Sequence, residues 1–397
     1  MGTTALDLNR LLSQSMGDWI SCPVTTNIAA DRLVVSTHLN KYDGGRDGYF
    51  EDWWLYIEGK NNAGADRKVR FYYTANATCN VFGSAFSADT NVADIRLSRP
   101  QSFTDKQLAI NMAIKEVFPA LHRKLDVIEL ISNNILPNAH FSDWSQTTYP
   151  DKYLVTNATA VANTDSKYSW GGSKVKAAFV SASAANGIMY ISSDDYPRLL
   201  DLAGGKISFE SWARPAEANG VALTIYTLKA DGTEQTLNSA TVCPVNARTL
   251  VTLDDQSINE DIVKIDFRFR VKSNGSNAFF DNARVFGSTV TEYLLPKDCK
   301  DGVVQRVFTQ TTGDSDDIHP TSWGEVYGWD IIDNGTDKYI VFQSDYSSGA
   351  YFRLFGYAPL STVSATTDST ELEGEKLGLL IAYAKYKVYS MFSSSPS

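Results

Sequence analysis

The sequence predicts a mainly β protein with a small helical core. Aromatic residues are plentiful, with 20 Tyr, 19 Phe and 8 Trp in 397 residues. Together with many Thr and Val runs, they suit pleated, half-buried surfaces. Short alternating segments recur between Gly, Asn and Asp turn signals. Two long stretches, Phe103 to Asn133 and Glu371 to Phe392, instead carry apolar residues at three- and four-residue steps, the helical period.

A chain of this length predicts two or three domains, each able to bury a full-sized core. A net charge of -10 and a pI near 5.0 argue against a general nucleic-acid coat or a basic membrane-surface protein, and leave room for a local basic patch. Cys22, Cys79, Cys243 and Cys299 lie far apart and form no CxxC pair. Buried free thiols are therefore expected ahead of disulfides, zinc or redox chemistry. The N-terminus lacks a basic segment followed by an apolar core, and no apolar run approaches the ~20 residues that span a bilayer. The expectation is a soluble protein assembled in a cytoplasm.

Leu6, Leu8, Leu11 and Leu12 suit a short docking helix over Ala5 to Ser15. Strands are expected at Trp19 to Val24, Arg32 to Leu39, Phe50 to Glu58, Arg67 to Ala75 and Thr78 to Phe82. Turns at Asp43-Gly44-Gly45, Asp47-Gly48 and Asn61 to Gly64 separate them. This block, residues 1–101, reads as a small β-barrel or sandwich. From Phe103 to Asn133, the residues Ile110, Ile114, Val117, Leu121, Leu125, Ile128 and Ile131 trace one helical stripe. Thr104 and Gln107 fit a capping box, and Pro119 predicts a kink or a break between two helices.

Residues 136–287 read as a two-sheet sandwich. Strands are expected at Tyr153 to Thr156, Lys174 to Val180, Ile188 to Ser192, Lys206 to Ala213, Ala222 to Leu228, Arg248 to Thr252, Ile262 to Lys272 and Ala278 to Phe286. Asp231-Gly232 marks a hairpin. The remainder returns to strands and closes on a helix whose apolar face is Leu377, Leu380, Ile381, Ala384, Val388 and Met391.

Several segments resemble the adaptor, or head-completion, proteins of tailed-bacteriophage necks. They are Thr291 to Pro296, Tyr351 to Tyr357, the hinge Leu360 to Ser364, the acidic step Thr367 to Glu371 and the helix carrying Leu379 to Ala384. Ser102 to Ile114 looks like the first core helix of that family, and Asp47 to Ile57 is similar to a small β-domain in front of many phage neck proteins. The resemblance implies residues 102–135 and 288–397 as a discontinuous helical adaptor core with a small sheet. It also implies a homo-oligomeric ring, commonly of twelve subunits, with the portal protein above, a further neck or tail protein below and genomic DNA passing transiently through. Lys376, Tyr383, Lys385, Tyr386, Lys387 and Tyr389 would touch the portal or a neighbouring subunit, or else form a solvated face. Lys297, Lys300 and Arg306 are either weak DNA contacts or ordinary surface charge.

The middle block resembles carbohydrate-binding modules of the jelly-roll type through Leu136 to Trp144, Ile207 to Arg214 and Ala278 to Val285. That resemblance implies an outward sandwich inserted between the helix-bearing parts, and a possible host glycan as partner. Asp281 could ligate a structural calcium, although Asn282 and Ser142 depart from the family pattern; a structural role without metal is an equal reading. Tyr149, Tyr168, Trp170 and Tyr196 lie in polar, loop-like surroundings and are the glycan-platform candidates. No catalytic set stands out, since the sequence has no HExxH, GxSxG or phosphate loop. Asp194-Asp195, Asp254-Asp255 and Asp316-Asp317 read as turn or surface pairs. No enzyme activity, cofactor or membrane is expected. Of the two functional expectations, a head-to-tail adaptor ring at the virion neck stands first and a glycan-binding virion component second.

Overall fold

The computed structural model describes residues 2–24, 33–87, 94–163, 177–312 and 322–393, and the fold is mainly β. Two compact units form: Met1–Arg123 with Pro359–Ser397, and Lys124–Ala358.

The first unit holds a six-stranded sheet in the order Ile20–Pro23, Asp94–Ser98, Trp54–Ile57, Asp66–Tyr73, Thr78–Val81, Leu33–Val35. Its core is Val34, Leu55, Ile57, Val69, Val81, Ile95 and Leu97, closed by Phe50 set edge-on to Tyr72 and Trp53. Asp94–Ser98, which is not among the strands expected from sequence, lies inside the sheet. Its outward Arg96 is buried against Glu58 and over the Trp19 ring. Three helices, Ala5–Met16, Phe103–Glu116 and Glu375–Ser393, share a second core around Leu8, Leu12, Ile110, Ile114, Leu380 and Val388. Alanines at 109, 113 and 384 sit in that core, where small side chains let helices approach closely.

The helix expected to continue to Asn133 stops at Glu116, and Arg123–Ile131 is a strand. Alternation over Leu125 and Val127 against Lys124 and Asp126 prevails there, because the strand gains a backbone partner in Tyr351–Ala358. The helix cap is also corrected. Ser102 and Asp105 form the capping box, while Thr104 donates its hydroxyl to Asp66. Lys106 is fully buried; its Nζ donates to Asp18 at 2.7 Å and Ser13 at 2.8 Å.

The second unit contains the sandwich. One sheet runs Ala158–Asn163, Ala177–Ala182, Asn277–Phe286, Lys206–Pro215, Thr249–Ser257. The other runs Glu234–Asn238, Val221–Lys229, Ile262–Val271, Gly187–Ser192, Leu154–Thr156. The chain crosses repeatedly between the sheets, a jelly-roll-like order. Phe269 sits at the centre of its core, edge-on to Phe141, Phe209 and Phe280. Beside the sandwich lie a four-stranded sheet (Ser322–Val326, Val303–Thr312, Tyr351–Ala358, Arg123–Ile131) and a three-stranded one (Glu292–Leu294, Lys338–Phe342, Trp329–Asp333). These sheets fall in the sandwich's unit rather than with the helices, so the unit boundaries lie at 123/124 and 358/359, not at 135/136 and 287/288. All four cysteines are free and buried. No described helix is long and apolar enough to cross a membrane.

A buried polar network ties the sandwich to the four-stranded sheet. Arg284 donates to Tyr351 Oη at 2.8 Å, to Asn282 Oδ1 at 3.0 Å and to Glu210 at 3.1 Å, and Asn282 Nδ2 donates to Tyr351 Oη at 3.0 Å. Tyr351→Phe keeps the ring and removes the shared acceptor. It should lower unfolding free energy by about 2 kcal/mol, the cost of stranding buried donors. Denaturant titration of the intact chain checks this; a change under about 0.5 kcal/mol would mean the network contributes little.

Candidate binding face

The sheet containing Ile262–Val271 presents one polar face. Along that strand Ile265, Phe267, Phe269 and Val271 point into the core, so Lys264, Asp266, Arg268 and Arg270 occupy the opposite side. Register then sets their neighbours. Tyr190 and Thr224 flank Arg268, Ile188 and Ala222 flank Arg270, and Ser192 and Tyr226 flank Asp266. Asn238 lies across from Thr224, and Glu234 across from Leu228.

These side chains hold one another in place. Arg268 lies 4.0 Å above the Tyr226 ring and donates to Asp266 at 2.6 Å. The Tyr226 hydroxyl donates to Glu234 at 2.9 Å, and that bond raises the phenol pKa. Lys264 pairs with Asp194, which raises the ammonium pKa. Arg270 donates to Asn186 Oδ1 at 2.7 Å, to Asn238 Oδ1 at 2.8 Å and to Thr224 Oγ1 at 3.3 Å. Asn238 Oδ1 also accepts from Thr224 Oγ1 at 2.8 Å. Tyr190 is half-buried, and its ring and hydroxyl make no hydrogen bond or ring contact with a described residue. The face therefore combines an unengaged aromatic ring with fixed donors and acceptors. That combination suits a ligand with both an apolar face and hydroxyls.

The residues singled out from sequence fall elsewhere. Tyr149 is half-buried against the sandwich core, and Tyr196 is 6% exposed within it. The short helix Pro197–Leu202, with Leu199 and Leu202 buried, draws that turn inward. Tyr168 and Trp170 lie outside the described residues. Asp281 is buried; its carboxylate accepts the Asn282 amide at 2.7 Å and stands 3.4 Å from His140 Nδ1. Among the described residues no three His, Cys, Asp or Glu side chains converge as a metal site. On the C-terminal helix, Lys387 pairs with Glu116 at 2.5 Å, Tyr383 donates to Glu116, and Lys385 donates to the Ser15 carbonyl at 2.6 Å. Those three hold the helix to its neighbours, while Lys376, Tyr386 and Tyr389 stay exposed. Lys297 donates to the Trp144 carbonyl, Lys300 pairs with Asp337, and Arg306 lies 3.7 Å from Glu325. Tyr190, Tyr226, Arg268 and Arg270 are not among the residues predicted from sequence. The signal was the strict alternation of residues 265–271, which assigns every second residue to one outer face.

The chain matches no protein-family model and no curated protein. Among solved structures it is similar to the enzymatically active domain of bacteriophage CBA120 tailspike protein 4, at 14% identity and a TM-score of 0.30, over 39% of this chain and 22% of that one. It is similar to a family 61 carbohydrate-binding module solved with β-1,4-galactotriose, at 14% identity and a TM-score of 0.27, over 40% of this chain and all of that one. A xylan-binding family 22 module of Paenibacillus barcinonensis Xyn10C shares 11% identity with a TM-score of 0.29, over 42% of this chain and 99% of the module. The chain thus spans about a fifth of the tailspike domain's length.

A separate cavity of about 270 Å³ in the same unit is lined by Glu129, Asn138, Asp143, Asp151, Lys152, Lys297 and Lys300, among others. Burial, then the Asp143 charge, pushes Glu129 up to about 8. Burial also raises Asp143, to about 6, against the pull of the Lys297 amide. A carboxyl raised by folding binds its proton more tightly in the native state. Its burial is tolerated at low pH, and stability is lost as pH rises from the ordinary carboxylate range toward 8. Glu129→Gln should therefore gain on the wild type by on the order of 2 kcal/mol between pH 5 and pH 8. Paired denaturant titrations at the two pH values measure the difference; a pH-independent difference would place Glu129 in contact with water.

Proposed function

We propose that this chain is a saccharide-binding component of a phage particle, with the sandwich as its binding domain. The observation that carries the saccharide reading is the outer face of the Ile262–Val271 sheet. There the half-buried Tyr190 stands across from Arg268, beside side-chain amides and hydroxyls already locked by mutual hydrogen bonds. A sugar ring would lay its C–H face on Tyr190 and exchange hydroxyl hydrogen bonds with the exposed Asn238 and the half-buried arginines. The locked array lowers the ordering cost of binding. The role is recognition, not catalysis. The phage setting rests on the resemblance of the flanking segments to neck proteins, and assembly on the virion in a host cytoplasm follows from that reading.

One observation favours the second reading, a head-to-tail adaptor ring seated between portal and tail. Phe103–Glu116 packs against Glu375–Ser393, joining the two segments that resemble adaptor core helices. On that reading Lys376, Tyr386 and Tyr389 face a portal or a neighbouring subunit, and the sandwich is carried outward.

Tyr190→Ala should weaken saccharide binding at least tenfold, about 1.4 kcal/mol, with little change in melting temperature because the ring is half-buried. A glycan array followed by calorimetry on the strongest hit checks this. Undiminished affinity in the variant would remove this face from the reading.

A further inference from the structure

The charges of this face do not balance locally. Asp266 is taken by Arg268 at 2.6 Å, Asp194 by Lys264, and Glu234 by the Tyr226 hydroxyl. Arg270 is held only by neutral oxygens, those of Asn186, Asn238 and Thr224. No described carboxylate is paired with it. Among the described residues this half-buried cation has no counter-ion, in a chain of net charge -10. Burial, and then the nearby Arg268 charge, lowers its pKa, so an arriving anion would relieve both effects.

Geometry adds to the charge argument. These bonds leave from Nη1 twice and from Nη2 once. A guanidinium carries five N–H donors, so Nε–H and one Nη2–H remain. Two guanidinium donors match two anionic oxygens in a bidentate pair. The fixed side-chain oxygens hold the group in one orientation, so little rotamer freedom is left to lose. Tyr190 stands across from Arg268, one alternation along the strand from Arg270.

We propose that this face selects anionic saccharides, with the ligand's carboxylate or phosphate seated on Arg270 and its ring on Tyr190. The inference rests on the saccharide reading of the same face and names its ligand class. A bidentate ion pair in a partly desolvated setting adds affinity that a neutral sugar lacks, and salt weakens it.

The test uses the intact chain and three trisaccharides sharing one backbone: neutral, oxidised to a uronate at C6, and phosphorylated at C6. At low salt at least one charged trimer should bind tenfold or more tighter than the neutral one, and the advantage should shrink at 0.5 M salt. Which charged trimer gains identifies the anion. Arg270→Gln should collapse the advantage, and Arg270→Lys should restore part of it. Thermal melts confirm that the variants are folded, and the wild-type salt dependence does not rely on any variant. Equal affinity for charged and neutral trimers would overturn the anion preference while leaving saccharide binding standing. A charge preference that survives Arg270→Gln would overturn the assignment to Arg270. If the wild type binds no saccharide on the array or among the trimers, the saccharide reading fails, and this inference with it.

Discussion

The Arg284 guanidinium is the interaction on which the second unit depends. It is 2% exposed, and a cation taken that far from water is tolerated only when its donors are met. Glu210 supplies the charge, while Asn282 Oδ1 and Tyr351 Oη supply neutral acceptors. Meeting them requires an irregularity. Asn282 sits at φ 53°, and the pairing of Lys206–Pro215 with Asn277–Phe286 shifts register between Glu210 and Trp212. That step puts Asp281, Asn282 and Arg284 all in buried positions, where simple alternation would send only half of a strand inward. The strand Tyr351–Ala358 is thereby fixed to the sandwich through one phenol.

This arrangement bears on where a ligand can bind. The sheet carrying Arg284 has part of its outer side taken up by the contact with Tyr351. The opposing sheet has no such bolt among its described residues, and its polar face is organised by side chains of its own strands. The two sheets thus divide the work. Buried ionic chemistry holds one to the rest of the unit, while on the other the exposed Asn238 and the half-buried Tyr190, Arg268 and Arg270 reach solvent. Asp281 illustrates how the first role can resemble a metal site from sequence: a lone acidic residue at a strand irregularity, satisfied here by a backbone amide and an imidazole.

Much of the fold was legible because it obeys single periods. All eight strands expected in the sandwich are present within a few residues, and the terminal helix buries the stripe its spacing implied. Ala158–Asn163 and Glu234–Asn238 escaped notice because they lie at sheet edges and carry small or polar residues, with little apolar contrast to read. Arg123–Ile131 failed for another reason. Leu121, Leu125, Ile128 and Ile131 satisfy a helical step and partly satisfy a strand one, and only the distant Tyr351–Ala358 partner decides between them. The candidate face was harder still. Its chemistry comes from four strands at once, so no local window contains it. The aromatic residues that lie in loop-like sequence, Tyr149 and Tyr196, pack against or within the core.

The candidate face also shows why net charge is a poor guide to a local partner. The repulsion that a chain of charge -10 exerts on an anion is largely screened beyond a Debye length of about 8 Å. Within that distance the immediate groups dominate. Along Ile262–Val271, Lys264 and Arg268 have close anionic neighbours, and Arg270 has amide and hydroxyl oxygens instead. Neutral acceptors fix a guanidinium's orientation without cancelling its charge. A carboxylate at the position of Asn238 would hold Arg270 as firmly and leave it little to offer an anion. The choice of asparagine over aspartate at 238 and 186 thus leaves an oriented cation, without a carboxylate partner among the described residues, where a structural ion pair would otherwise stand.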